Sequence, residues 1–139
     1  MPHETLLKFG YPDTLLREGH HWALLLRPAQ PTLGSLVLCA TSETRSYGEL
    51  PAEAFAEQRE FVAVAERLLR EFVGYERINY LMLMMVDPHV HFHVIPRYEG
   101  VRSFAGAEFP DSGWPALPAL ADSRPAPAGL AEELRRRLA

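Results

Sequence analysis

Cysteine is almost missing from this chain: Cys39 has no second thiol to pair with, so no internal disulfide holds the fold. It lies in the largely apolar run Ser35 to Ala40, where a thiol behaves as a small hydrophobe, and it is given no catalytic role. A surplus of positive charge is lacking too. Fourteen Lys and Arg against 18 Asp and Glu leave a formal charge of −4, which argues against nucleic acid or anionic lipid as a partner held by bulk attraction. Any phosphate-bearing ligand must then be held by local geometry. Long apolar runs are absent as well: Leu81 to Val86 is far too short to cross a bilayer. The start, Met1-Pro2-His3-Glu4, lacks the basic, apolar and small-residue succession of a secretory signal, so the expectation is a cytoplasmic protein with no membrane partner.

What is present is the material of a globular domain. With 47% hydrophobic and 23% charged residues among 139, the composition predicts one domain, residues 1–139, with a real core. Thr5 to Phe9 can extend before Gly10 and Pro12 turn the chain, and Thr14 to Arg17 can extend again. Trp22 to Arg27 and Ser35 to Ala40 read as strands joined by the loop Pro28 to Gly34. From Pro51 the spacing becomes helical, with Phe55, Phe61, Val62, Ala65, Leu68, Leu69 and Phe72 on one stripe and Gly74 as the stop.

Ile78 to Val86 is nearly continuously apolar and reads as a central strand buried on both faces, its methionines in the core. Asp87-Pro88 then suggests a tight turn of an antiparallel hairpin whose second strand ends at Pro96. Residues 105–128 are rich in proline and small side chains, with Trp114 as the anchor of that tail, and Leu130 to Leu138 forms a short amphipathic helix. Arg135, Arg136 and Arg137 fit its exposed last turn.

The chemistry gathers in His89-Val90-His91-Phe92-His93-Val94-Ile95. In an extended chain alternate side chains share a face, so three imidazoles line one side and Val90, Phe92 and Val94 the other. Three uses compete for them. Ordinary polar strand positions explain one histidine better than three in strict alternation. A zinc site needs further ligands, and His3, His20 and His21 are weak candidates with no cysteine pair or His-x-x-Glu-His pattern beside them. Nucleophilic attack at phosphorus suits imidazole best, because its neutral nitrogen is nucleophilic near pH 7 and neighbouring rings can fix its tautomer or carry a proton. The middle ring alone has a neighbour on each side.

The run resembles the defining motif of the histidine triad superfamily, and Pro96-Arg97, Lys8-Phe9-Gly10 and Gly34 before Leu36-Val37-Leu38 extend the likeness over residues 5–98. The resemblance implies an α+β fold with a five-stranded antiparallel sheet, one long helix and a short C-terminal helix, paired as a homodimer. It implies a nucleotide hydrolase or nucleotidyl transferase, with His91 attacking the α-phosphorus of a purine nucleotide derivative and His89 and His93 assisting. It implies no metal and no cofactor. Phe9, Leu25, Arg27 and Ser35 fall at nucleotide-contacting positions by the same analogy. The alternatives kept open are a nucleotide-binding module with little catalysis and a histidine-ligated metal protein.

Three departures from the family pattern stand out. Met85-Val86-Asp87-Pro88 replaces the Gly-Gln-Ser/Thr loop that precedes many triads. Ser35 follows Gly34 where relatives often carry histidine, and Leu26-Arg27 occupies a place where an asparagine or aspartate commonly meets ribose. A planar donor fork lets Arg27 pair with phosphate or carboxylate. The plainer reading of Arg27 and Arg97, a solvated side chain or surface ion-pair partner, carries more weight from residue type alone.

Overall fold

A computed structural model of the chain describes residues 1–139. The elements in order are α1 (Glu4–Lys8), β1 (Leu15–Glu18), β2 (Trp22–Leu26), β3 (Ala29–Gln30), β4 (Leu36–Ala40), α2 (Ala52–Val73), β5 (Arg77–Leu81), β6 (His91–Arg97), β7 (Val101–Phe104), β8 (Ala107–Pro110), β9 (Arg124–Pro125) and α3 (Leu130–Leu138), with a single 3₁₀ turn at Tyr47–Glu49. Five strands form one antiparallel sheet in the order β1-β2-β4-β6-β5. This is the α+β architecture with one long and one short C-terminal helix that the sequence implies.

Period-two alternation divides the sheet's side chains between two cores. Trp22, Leu24 and Leu26 of β2, Leu36, Leu38 and Ala40 of β4, and Val94 of β6 pack with Phe61, Ala65, Leu68, Leu69 and Val73 of α2. The residues between them, Ala23, Leu25, Val37 and Cys39, meet Leu6 and Phe9 on the opposite face. That second, smaller core is the floor on which the histidines stand. The helix predicted from Pro51 matches α2, which ends at Gly74 in the left-handed region with φ 58. Gly34 is required for a different reason: at φ 92, a Cβ there would lie 2.9 Å from Cδ2 of Leu69, so the β3–β4 connection passes directly over α2.

Four expectations are corrected. Thr5 to Phe9 is helical rather than extended, because His3 caps α1 by accepting the Leu6 N–H and the apolar side chains turn onto the sheet. The run Ile78 to Val86 is strand only to Leu81. It lies at the sheet edge with its residues half-buried, not in the centre. A turn at Asp87-Pro88 would place Val86 opposite His89, whereas the ladder pairs Leu81 with His93, one residue out of that register. Residues 82–90 therefore leave the sheet as a loop, with Met84 at φ 44 and Met85 and Val86 exposed by 86% and 82%. Met85 is therefore not core, while Met82 and Met84 stay partly buried against the larger core.

The third correction lies in the tail, which holds the hairpin partner β8, turning through Ala105 and Gly106 at positive φ. It also holds β9, which pairs with β3 and brings the tail back beside Pro28. Lastly, Arg135 is not a free end-of-helix cation. It donates to the carbonyls of Leu15 and Asp13 and ties α3 to β1.

Candidate active site

His91 and His93 point from β6 toward the smaller core, opposite Cys39 and Val37 of β4, while His89 precedes the strand. All three are buried. His91 donates its Nδ1–H to the carbonyl of His89 at 2.7 Å. A carbonyl only accepts, so the proton sits on Nδ1 and the lone pair on Nε2. His93 has the opposite arrangement: its Nδ1 accepts from Nε of Arg27 at 3.2 Å, which leaves Nε2 as the N–H. The two rings meet edge to face with centroids 5.2 Å apart. Burial, with the Arg27 guanidinium and the His91 ring beside it, pushes the pKa of His93 down to about 4 from its ordinary 6.5. His93 is therefore a neutral donor near pH 7.

His89 is held by residues from the other end of the chain. Thr5 Oγ1 and His89 Nδ1 share a hydrogen bond of 2.8 Å, and the His3 ring stacks on His89 at 4.0 Å with a tilt of only 16°. His3 itself is locked, since its Nε2–H donates to the Ala40 carbonyl while Nδ1 accepts from Leu6. Burial first, then the neighbouring His3 ring and the Arg45 guanidinium, lower the pKa of His89. One short N-terminal segment thus touches the whole triad: His3 and Thr5 support His89, and Phe9 packs against both His91 and His93 at 5.6 Å.

A cavity of about 360 Å³ opens beside His93, lined also by Lys8, Phe9, Arg27, Pro28, Ala29 and Asp87. That size is at the lower end for small-molecule sites, roughly 300–1,000 Å³. Lys8 and Asp87 face each other at 2.8 Å and join α1 to the loop before the triad. The loop wall opposite is kept rigid by Gln30, whose side chain donates to the Arg27 and Ser35 carbonyls and accepts from Gly34 and Ser35. A larger cavity of about 880 Å³ lies along β5, where Trp114 forms one wall, and no histidine of the triad lines it. Of the triad, only His93 lines the smaller one.

The structure brings Phe9, Arg27 and His93 together at one cavity. It does not bring Leu25 or Ser35 there. Leu25 has no exposed surface and packs in the smaller core, and Ser35 is equally buried, its hydroxyl donated to the Thr32 carbonyl. Neither offers a surface to a ligand. The plainer reading of the two arginines is also corrected. Arg97 is only 4% exposed, and it makes a forked pair with Asp111 at 2.7 and 3.1 Å while donating to Asn79 at 2.8 Å. Arg27 is half-buried, has no carboxylate partner, and is spent on His93 and the Ala29 carbonyl. His3, Thr5, Lys8 and Asp87 are the participants that sequence reasoning missed. In the sequence His3 stood only as a weak zinc candidate, Lys8 only within Lys8-Phe9-Gly10 and Asp87 only as a turn residue.

No group of three or more His, Cys, Asp or Glu side chains is arranged to hold a metal ion, and His20 and His21 sit on the β1–β2 turn with their backbone N–H groups bonded to Glu57. No helix is long and apolar enough to cross a membrane.

No protein-family model matches the chain, and no curated protein matches its sequence. Solved structures do match its fold. A histidine triad protein from Sinorhizobium meliloti 1021 superposes with a TM-score of 0.76 at 20% identity, over 99% of this chain and 93% of that one. A histidine triad protein from Marinobacter aquaeolei VT8 gives 0.65 at 23% identity, over 100% and 98%. A hypothetical histidine triad nucleotide-binding protein from Sulfolobus tokodaii strain 7 gives 0.63 at 20% identity, over 88% and 78%. The chain has the histidine triad fold, and its three alternating histidines lie on the strand and loop described above.

Proposed function

We propose that this protein is a nucleotide hydrolase or nucleotidyl transferase that works through a covalent nucleotidyl-histidine on His91. The observation that carries the reading is the tautomer of His91. With Nδ1–H given to the His89 carbonyl, Nε2 presents its lone pair. Attack by that lone pair forms an N–P bond at the α-phosphorus and breaks the bond to the leaving group, which departs with the electron pair and takes up a proton from solvent. Water then attacks the same phosphorus and returns a proton to solvent as the N–P bond breaks and the ring recovers its lone pair. His93, a neutral Nε2–H donor beside His91, supplies a hydrogen bond to an equatorial phosphate oxygen, where negative charge accumulates. His89 fixes His91 through its carbonyl and is itself fixed by Thr5 and His3. The nucleotide-binding description of the Sulfolobus tokodaii neighbour supports the ligand class. A purine base, a homodimer and a cytoplasmic location complete the reading, on the resemblance of the motif.

The experiment is turnover of an activated adenylate by His91→Ala. A fall of at least about a thousandfold, with the circular dichroism unchanged, is the expected result. Undiminished turnover overturns the mechanism. One observation favours a second reading, a nucleotide-binding module with little turnover: His91 is only 1% exposed, with Phe9 standing against it. Micromolar AMP binding by the native protein, without any phosphoramidate adduct in its mass spectrum after mixing with substrate, selects that reading.

A further inference from the structure

Arg27 is a charge in want of a counter-ion. Its Nε and Nη1 are bonded to His93 and the Ala29 carbonyl, which are both neutral acceptors, and no carboxylate lies within ion-pair distance. No buried side-chain polar atom lacks a partner, so the unbonded Nη2 reaches solvent, and Arg27 is among the residues that line the cavity. Removing a guanidinium from water without an anion beside it is costly. A second cation, Lys8, lines the same cavity, and the single carboxylate in the lining, Asp87, is already engaged by it. The cavity thus carries an excess of positive charge in a chain whose net charge is −4.

We infer that this cavity is a second anion-binding subsite, in which Arg27, with Lys8, recognises a phosphate or carboxylate carried by the substrate at a place other than the phosphorus under attack. The inference rests on the proposed nucleotidyl transfer for the identity of the first phosphate. The two places are distinct because Arg27 engages Nδ1 of His93, whereas the reacting phosphate is served by Nε2 on the other side of that ring, and His91 does not line the cavity. A planar fork with one arm free suits an oxyanion. Lys8 is held only by an exposed pair, which an incoming anion can outcompete. The same oxyanion chemistry can be supplied from the ribose, as a 2′-phosphate, or from the leaving group.

Three adenylate esters separate these sources: the 4-nitrophenyl ester of AMP, the same ester phosphorylated at the ribose 2′ position, and an aryl ester bearing a carboxylate on the leaving group. One of the two anionic esters is expected to exceed the first in kcat/KM by about tenfold or more in the native protein. That ratio should collapse toward one in Arg27→Gln and survive in part in Arg27→Lys, which keeps the charge but not the fork. Comparing ratios within each variant removes any general loss from disturbing His93. Equal turnover of all three esters by the native protein, or an undiminished preference in Arg27→Gln, overturns the subsite. If no ester is turned over, the catalytic reading fails on its own, and calorimetry still decides the subsite. AMP, ADP and adenosine 2′,5′-bisphosphate are then titrated, with tighter binding of one of the latter two, lost in Arg27→Gln, as the supporting result and equal binding of all three as the refuting one.

Discussion

Two arginines on neighbouring parts of the sheet meet opposite fates. Arg97 closes β6, is almost wholly buried, and finds a complete set of acceptors in Asp111 and Asn79. Arg27 follows β2, is half-buried, and finds only a neutral imidazole and a backbone carbonyl. The first is a strut: it binds the end of the triad strand to the tail, where Asp111 also accepts the Tyr98 N–H. The second is an unfinished electrostatic arrangement, and its incompleteness faces a cavity. The charge of Arg97 has its partner inside the protein and serves the fold, while the charge of Arg27 has none there, which is the basis of the proposed anion subsite.

The contrast is tested most severely by removing the carboxylate. Asp111→Ala leaves Arg97 buried and unpaired, and urea unfolding should show a loss of about 3–5 kcal/mol. Arg27→Gln should change stability by less than about 1 kcal/mol in the same experiment, since no buried pair is broken. Comparable losses in the two variants would erase the distinction between strut and site.

A smaller effect is expected from acid. The folded pKa of His93 lies below its unfolded value, so the folded protein binds fewer protons between the two. Its contribution to stability is therefore complete above the ordinary 6.5 and is lost as pH falls from there toward about 4. Burial is the leading cause and Arg27 the next, so Arg27→Gln should narrow that window without closing it. Histidine proton shifts followed by NMR across the range check the point, and an unchanged His93 midpoint in the variant would remove Arg27 from the account. The least effect belongs to Lys8→Met. Its exposed pair with Asp87 contributes about 0–1 kcal/mol, and thermal unfolding should scarcely move.

Regular elements were legible where one periodicity ran long enough to dominate. The stripe from Phe55 to Phe72 named α2, the apolar runs around Trp22 and Leu36 named β2 and β4, and Leu130 to Leu138 named α3. Short or exposed elements were not. Five residues of α1 are too few to be stable alone and depend on the His3 cap and the underlying sheet. Leu81 to Val86 has the composition of a buried strand, yet the ladder runs out at Leu81 opposite His93, and apolar residues beyond it reach solvent. The hairpin of β7 and β8 had only Gly106 to announce it.

The site divides along a similar line. The three histidines could be picked out because they are near neighbours on alternate positions, and alternation alone puts imidazoles on one face. Their supports could not, because Thr5 lies 84 residues from His89 and Lys8 lies 79 from Asp87. Nothing local to His3 distinguishes a cap stacked on a triad from an ordinary terminal histidine. Arg27 and Arg97 are likewise alike in sequence, each following an apolar strand, and residue type favoured a surface role for both.

The sequence by itself determined the row of three histidines, the alternation that separates it from the larger core, and the helix that covers the other side of the sheet. Those properties follow from spacing within a few residues. Tertiary structure alone decided which nitrogen of His91 and of His93 holds the proton, which arginine is paired, and that an N-terminal segment braces the triad. Such features depend on donors and acceptors brought together from distant parts of the chain, and their energies exist only once water has been excluded between them.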